Sequence, residues 1–375
     1  MTNPAMPPAD PLLPTLDEVL ARWPLLRSRS ALDWAGFAQV LSAKGKAMDA
    51  AVLSLAVLDR VDAGEEAATF VRTTLRQWVP TWHWFMVTDT GRNDAYEAAI
   101  RGAVTPGDLV LDVGAGSGLL GMMAARAGAG AVYACEMVPL VAAIADRIVR
   151  RNGWSDTVRI LPRHSGDLVL GTDLPRKADV IVSEIVSNGL LEEEVLATHR
   201  DLVPRLLRDG GRVIPGRISV MTALGHDAAL EATAMGVTSG FDISPFNAIR
   251  PAPLNRRVEN PSIALRSTAA PLFTFDLGRP DSWPGAKASV AVEGTGGPAN
   301  TVLQWIRLDM DPEGSPGLGY ENRPGSLPMS CWEVRSYPLA RPVVETGGHG
   351  FRVAGSRSDQ RLWLWLEGGP PPQSP

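Results

Sequence analysis

The stretch Val110-Leu-Asp-Val-Gly-Ala-Gly-Ser-Gly-Leu-Leu-Gly-Met-Met-Ala-Ala-Arg-Ala-Gly-Ala-Gly-Ala-Val-Tyr-Ala-Cys-Glu136 decides the fold. Val110, Leu111 and Val113 make an apolar run of the length of a buried parallel strand. Gly114, Gly116 and Gly118 then let the backbone turn sharply and approach a ligand closely. A helix-forming segment follows, and a second strand closes on Glu136. An acid about twenty residues beyond such a turn suits the two hydroxyls of a ribose. The pattern predicts a nucleotide-like ligand over a strand–turn–helix unit. NAD and FAD sites use related turns, and a glycine turn of purely structural role is the plain alternative.

The details of the turn narrow the ligand. Asp112 stands ahead of the first glycine, and the spacing is not G-x-G-x-x-G. A carboxylate there repels a pyrophosphate and suits an ammonium group. S-adenosylmethionine carries an amino-acid end, a sulfonium and an adenosine, and the Asp112–Gly118 turn resembles the first motif of the class I methyltransferases.

Working outward, strands are expected at Leu109–Val113, Ala131–Glu136, Val158–Pro162, Ala178–Glu184 and Gly211–Ile214. Ala- and Leu-rich helices between them imply a parallel, Rossmann-like α/β sheet. Beyond it the chain turns rich in Pro and Gly, with alternating runs such as Thr301-Val-Leu-Gln-Trp-Ile-Arg-Leu-Asp309 and Arg361-Leu-Trp-Leu-Trp-Leu366 that signal an antiparallel β-barrel. Ahead of the sheet the pattern is helical, and two or three short helices fit. The expected organisation is a disordered lead over 1–14, a helical segment over 15–77, a cofactor-binding domain over 78–216, a barrel over 217–367 with a dimerisation arm near 223–260, and a disordered tail over 368–375.

Composition limits the function. The 375 residues carry a formal charge of −5, 45% hydrophobic and 21% charged residues. That balance supplies no general basic surface for a nucleic-acid partner. Cys135 and Cys331 form neither a disulfide framework nor a metal-ligand pattern, which points to a reducing cytoplasm and to no metal. No apolar run approaches the length of a membrane span, so no membrane partner is expected.

Two further stretches carry the chemistry. Ser183-Glu184-Ile-Val-Ser-Asn-Gly-Leu-Leu-Glu192-Glu193-Glu194 ends the fourth strand, at the sheet edge where open α/β sheets bind ligands. His83-Trp-Phe-Met86-Val-Thr-Asp89-Thr-Gly-Arg92-Asn-Asp-Ala-Tyr96 precedes the sheet. In these two stretches the chain resembles the protein arginine methyltransferases: Glu184 and Glu193 stand at the spacing of that family's double-glutamate loop. Further features resemble its type III, monomethylating branch, the one usually numbered seven. They are Asp89-Thr-Gly-Arg92-Asn93, Arg150-Arg151-Asn152-Gly153, His164-Ser165, Pro271-Leu-Phe-Thr-Phe-Asp276 and Asp309-Met-Asp-Pro-Glu-Gly314. The likeness covers about residues 78–367 and leaves the N-terminal helices outside.

The resemblance implies S-adenosylmethionine as cofactor, held by Met86, Arg92, Asp112, Gly114, Gly116, Glu136, Met137, His164, Ser165 and Glu184. It implies Glu184 and Glu193 as catalytic residues, and Trp332 with them as the arginine-binding wall. Arg92 would clamp the methionine carboxylate. Where the family carries Thr-His-Trp, this chain reads Ser330-Cys331-Trp332. A head-to-tail homodimer would match the tandem modules usual in that branch.

The acids make sense on physical grounds as well. A guanidinium and a sulfonium about 4 Å apart repel by on the order of 4 kcal/mol at an effective dielectric near 20. Two carboxylates offset this, orient the guanidinium, and offer a proton acceptor. Each residue also has a plainer reading. Glu184 could be a strand-end acid, Glu193 one of a run of acids opening a helix, His164 and Ser165 a solvent-facing pair, and Met86 core filler. The expected activity is methyl transfer to an arginine guanidino nitrogen of a protein or peptide, stopping at one methyl. Free arginine is the alternative acceptor, and a non-catalytic binding protein of the same fold is the alternative of another class.

Overall fold

The structure is a computed structural model and describes residues 13–327 and 329–368. Most of the expected disordered lead and tail lies outside the described residues. By internal packing the chain forms two units. One comprises Met1–Thr88, Ile100–Ser183 and Leu206–Gly211, the other Asp89–Ala99, Glu184–Arg205 and Arg212–Pro375.

The first unit begins with four helices where two or three were expected: α1 Leu16–Arg22, α2 Ala31–Ala43, α3 Ala47–Leu58 and α4 Glu65–Leu75. Local sequence sets two of the starts. Thr15 with Glu18, and Ser30 with Asp33, form reciprocal capping boxes that satisfy the free N–H groups of a first turn. Seven-residue α1 is too short to declare itself by periodicity, and α4 carries its apolar stripe between Glu and Thr residues. Val19, Trp34, Leu41, Leu53, Val57 and Val71 make the core of this bundle. Asp49, on the buried side of α3, accepts from Arg22 Nη2 at 2.6 Å and from Trp23 Nε1 at 2.8 Å, fastening the end of α1 to α3.

Next come α5 Trp82–Thr88 and α6 Thr90–Ala103, and then the alternating segment. It comprises β1 Leu109–Val113, α7 Leu119–Arg126, β2 Ala131–Cys135, α8 Pro139–Arg151, β3 Val158–Leu161, β4 Ala178–Ser183, α9 Val195–Leu206 and β5 Leu207–Ile214. The sheet order is β3-β2-β1-β4-β5, with β1 parallel to both β2 and β4. The chain thus reverses its direction of winding between β1 and β4, the place where open sheets of this kind take ligands. β1 and β4 are buried along their whole length, which is why they read as continuous apolar runs.

The second unit is mostly antiparallel. It adds β6 Arg217–Asp227, α10 Ala228–Ala232, β7 Val237–Thr238, β8 Phe241–Asp242, β9 Leu254–Arg256, β10 Ile263–Leu265, β11 Ala270–Asp276, β12 Lys287–Glu293, β13 Ala299–Asp309, β14 Gly319–Glu321, β15 Val334–Val343, β16 Gly350–Arg357 and β17 Leu362–Leu366. A seven-stranded sheet runs β10-β6-β13-β15-β9, with β11 on β6 and β14 on β13; β12, β16 and β17 make a second sheet. This is the barrel-like domain that the alternating runs predict. β17 shows the period of two directly, with Leu362 and Leu364 buried and Trp363 and Trp365 exposed. Residues 223–227 of the expected arm belong to β6, and the hairpin of β7 and β8 lies in what remains of it.

Asp49→Ala removes the shared acceptor of Arg22 and Trp23. We expect a loss of about 1–3 kcal/mol in urea unfolding of the helical segment at pH 7, read by tryptophan fluorescence. Burial alone would raise the Asp49 carboxyl, but Arg22 holds it below the usual range. Its contribution should therefore be complete above the unfolded aspartate value and fade as pH falls through the lower folded one.

Candidate active site

In the first unit the glycine turn follows β1 without a break. Gly114, Gly116 and Gly118 take φ of 74°, 52° and 77°, conformations that cost a side-chain-bearing residue. Glu136, the residue after β2, spans the mouth of the turn. Its Oε2 accepts from Gly116 N at 3.1 Å and its Oε1 from Val138 N at 2.8 Å. Burial pushes this carboxyl above its usual value, against those two N–H groups. Met86, on α5, brings its methyl to 3.9 Å from where a Cβ on Gly116 would project. Asp112 is fully buried at the end of β1, and Met137 is 63% exposed beside Glu136. After β3, His164 Nδ1 accepts from Gly166 N at 3.1 Å and so caps the short turn that begins with buried Ser165. The strands β2 and β4 each stop one residue short of the expected acid, so Glu136 and Glu184 stand just past the sheet rather than in it.

The second unit gathers Arg92, Glu184, Glu193 and Trp332. Arg92 sits on the first turn of α6 with Glu184 as its ion-pair partner, Nη1 to Oε2 at 2.5 Å, and the two side chains are 3% and 5% exposed. Its Nη2 and Nε both reach Asn93 Oδ1. Asp89 caps α6, accepting from Arg92 N at 3.0 Å through Oδ1. Its Oδ2 accepts from Cys331 N at 2.9 Å and lies 2.7 Å from Tyr320 Oη.

The loop after β4 is laced to the barrel. Trp332 Nε1 donates to Val186 O at 2.8 Å, Asn188 exchanges hydrogen bonds with Glu333, and Arg335 grips both oxygens of Glu192 at 2.7 Å. The Arg335 guanidinium lies where a Cβ on Gly189 would stand, so a larger residue there would displace it. The acids 192–194 do not open a helix. They form the turn ahead of α9, and Glu194 adopts φ of 62°.

Electrostatics set the character of this cluster. Burial drives the Glu184 carboxyl up, and Arg92 opposes it. Glu193 is open to solvent as a residue. Crowding by protein atoms, then the charges of Glu184 and Glu192, nevertheless push its carboxyl up to about 7. When ionised, Asp89, Glu184 and Glu193 bring three negative charges against the one positive charge of Arg92, two in excess. Such a cluster attracts a cation and holds a proton near neutral pH. Burial, then Glu184 and Asp89, drive the Cys331 thiol far up, so it stays protonated and is no nucleophile. No group of side chains suited to a metal occurs among the described residues.

Asp89 was legible as part of a motif but not as a site residue. Ser330 and Asn188 lay inside quoted stretches without a role assigned to them, and Tyr320 and Arg335 were not singled out, because their partners Asp89 and Glu192 lie far away in the chain.

Because Glu193 is protonated in the fold at pH values where it ionises in the unfolded chain, stability should fall as pH rises from the ordinary glutamate value of 4.5 toward about 7. Glu193→Gln removes that loss. We expect its melting temperature to match the parent at pH 4.5 and to exceed it by about 1–3 °C at pH 8, by scanning calorimetry. Equal melting at both pH values would contradict the raised carboxyl.

Comparison with known proteins agrees with this geometry. The family profile "Ribosomal protein L11 methyltransferase (PrmA)" matches residues 95–218. Arginine N(omega)-methyltransferase from Streptomyces achromogenes subsp. streptozoticus is 36% identical over 289 residues, 76% of this chain and 79% of that protein. Protein arginine N-methyltransferase 7 of Danio rerio is 29% identical over 310 residues, 75% of this chain but 45% of the relative. The chain thus spans less than half the length of that second relative. Two solved structures share the fold. The Trypanosoma brucei PRMT1 enzyme–prozyme heterotetrameric complex with AdoHcy superposes with a TM-score of 0.67 at 22% identity, covering 78% of this chain and 96% of that one. Arabidopsis thaliana protein arginine methyltransferase 10 gives 0.61 at 20% identity, covering 78% and 95%. By its likeness to the Streptomyces enzyme over most of both chains, this protein belongs to the arginine N-methyltransferase family.

Proposed function

We propose that the protein transfers a methyl group from S-adenosylmethionine to a guanidino nitrogen of arginine in a protein or peptide, and stops at one methyl. The observation that carries this reading is the excess negative charge of Glu184 and Glu193 after β4 in a family of arginine methyltransferases.

The residues after β1 and β2 fit the cofactor. Glu136 presents two carboxylate oxygens over a turn that lacks side chains at 114, 116 and 118, and the two hydroxyls of a ribose are donors suited to such a carboxylate. Asp112 would face the ammonium end and Arg92 the carboxylate, with Met86, Met137, His164 and Ser165 around the adenosine. When bound, S-adenosylmethionine supplies an electrophilic methyl on a positively charged sulfur.

The chain's own residues do the rest. Val113 pairs with Ser183 in the sheet, and the chain continues from these partners into Gly114 and Glu184. Glu184 accepts from Arg92 at Oε2 and from the Val186 backbone N–H, and its remaining lone pairs would accept a substrate N–H. Glu193 offers the second carboxylate, so the guanidinium is forked between two acids and its positive charge is drawn toward the nitrogens they hold. The remaining nitrogen becomes the better nucleophile. With its carboxyl near neutral, Glu193 suits the proton released on transfer. Trp332 walls the arginine side chain.

A second acceptor, arginine as the free amino acid, is favoured by one observation. The Streptomyces relative, of which this chain spans 79%, is named an arginine rather than a protein arginine methyltransferase. We also propose a homodimer. The segment after α10 exposes Met235, Val237, Phe241, Phe246 and Ile249, which a second copy would cover. Free Cys135 and Cys331 accord with the cytoplasm.

Incubation with labelled S-adenosylmethionine and three acceptors, an arginine-rich peptide, cell-extract protein and free arginine, should label a guanidino nitrogen. Mass spectrometry reads both acceptor and methyl count, and no label in any arm overturns the reading. Glu184→Gln should lower turnover by at least about a hundredfold while S-adenosylmethionine affinity stays within several-fold. Glu136→Ala should weaken that affinity by about tenfold or more in calorimetry, and an unchanged affinity would remove Glu136 from the cofactor site.

A further inference from the structure

Asp89 is 3% exposed and, among the described residues, forms no ion pair. Its charge is held instead by three strong donors, Arg92 N–H at one oxygen and Cys331 N–H and the Tyr320 hydroxyl at the other, with the weak thiol donor of Cys331 beside them. Tyr320 Oη lies 2.7 Å from both Asp89 Oδ2 and Ser330 Oγ. A phenol has one proton and a carboxylate only accepts, so that proton points to Asp89 and the Ser330 hydroxyl turns toward the phenol oxygen. Trp332 N–H completes the chain, at 3.1 Å from Ser330 Oγ. The ring of Tyr320 is fixed edge-on to Trp332, with centroids 5.4 Å apart. β14, the first turn of α6 and the 330–332 turn thus meet at one hydroxyl.

We infer that Tyr320 is a positioning residue for the arginine-binding acids: by donating to Asp89 it leaves the Arg92 guanidinium to Glu184. This rests on the arginine-methylating reading of the same cluster. The reason is competition. Asp89 and Glu184 are both buried, and one guanidinium on the first turn of α6 serves them. While Asp89 has its three neutral donors, it does not need that cation. Without the hydroxyl, its Oδ2 keeps one backbone N–H, helped only by the weak thiol donor of Cys331, and a buried carboxylate so depleted draws the nearest positive charge. Arg92, capped by the same Asp89, is that charge. Glu184 would then lose its partner and its fixed orientation, while its other charged and titratable neighbours, Asp89, Glu193 and Cys331, would all disfavour its ionisation.

Tyr320→Phe tests this. It removes the hydroxyl and keeps the ring against Trp332. The control is Tyr337→Phe on β15, which deletes a buried hydroxyl bonded to Gln304 Oε1 at 2.7 Å. The readout is the titration of Glu184 by carbon-13 NMR of labelled glutamate carboxyls, assigned with Glu184→Gln, in protein without cofactor or substrate. We expect the Glu184 midpoint to rise by about one pH unit in Tyr320→Phe and to stay in place in Tyr337→Phe. The acidic limb of the kcat/KM profile should move by the same amount, with kcat falling about tenfold more than KM for the acceptor changes. An unmoved Glu184 midpoint in folded Tyr320→Phe overturns the inference, and so does an equal rise in Tyr337→Phe. A parent protein that methylates no arginine would instead overturn the reading of the function, leaving the NMR test of Tyr320 intact.

Discussion

The site depends on a shortage of positive charge. Arg92 and Glu184 form a buried ion pair, and such a pair is costly to assemble but costlier to break, since removing one partner strands the other at about 3–5 kcal/mol. One guanidinium serves Glu184, while Asp89 beside it is held by neutral donors and Glu193, among the described residues, has no cation of its own. The cluster therefore carries a deficit of positive charge, which is what an arginine acceptor would supply under the proposed function.

That deficit explains how much structure is spent on a few carboxylates. Glu184 leaves β4 with no freedom of its own, because β4 is buried throughout and parallel to β1. The loop carrying Glu193 is irregular, and Trp332 and Glu333, just ahead of β15, and Arg335, within it, hold it. Arg335 pairs with Glu192 and Gln360 donates to Glu194, so among the described residues the outer two of the three successive glutamates have side-chain partners from the barrel domain.

The replacement at position 331 becomes intelligible in this setting. A histidine there could pair with Asp89 as a cation or a donor. Cysteine cannot do so with comparable strength, and its thiol is kept protonated by burial and by two nearby acids. Asp89 is instead served by the backbone at 331 and by a hydroxyl from β14. The acid survives the change because a buried carboxylate needs donors, and neutral ones suffice if there are enough of them.

Much of this was readable from the chain alone. The run of buried strands, the glycine turn, the acids after β2 and β4, and the alternating barrel strands all follow from periodicity and from residue types whose physics is local: glycine's freedom at positive φ and the two-residue repeat of a strand. Local patterning failed where the signal was short or masked, as in α1 and α4, and at 192–194, where a row of acids resembled a helix start but forms a turn. What only the tertiary structure decided is which acid has a cation and which does not. Arg92 meets Glu184, Arg335 meets Glu192, and Tyr320 meets Asp89 across separations of 92, 143 and 231 residues. A carboxylate's proton affinity is set by the charges and donors within a few ångströms of it, and folding alone brings those together.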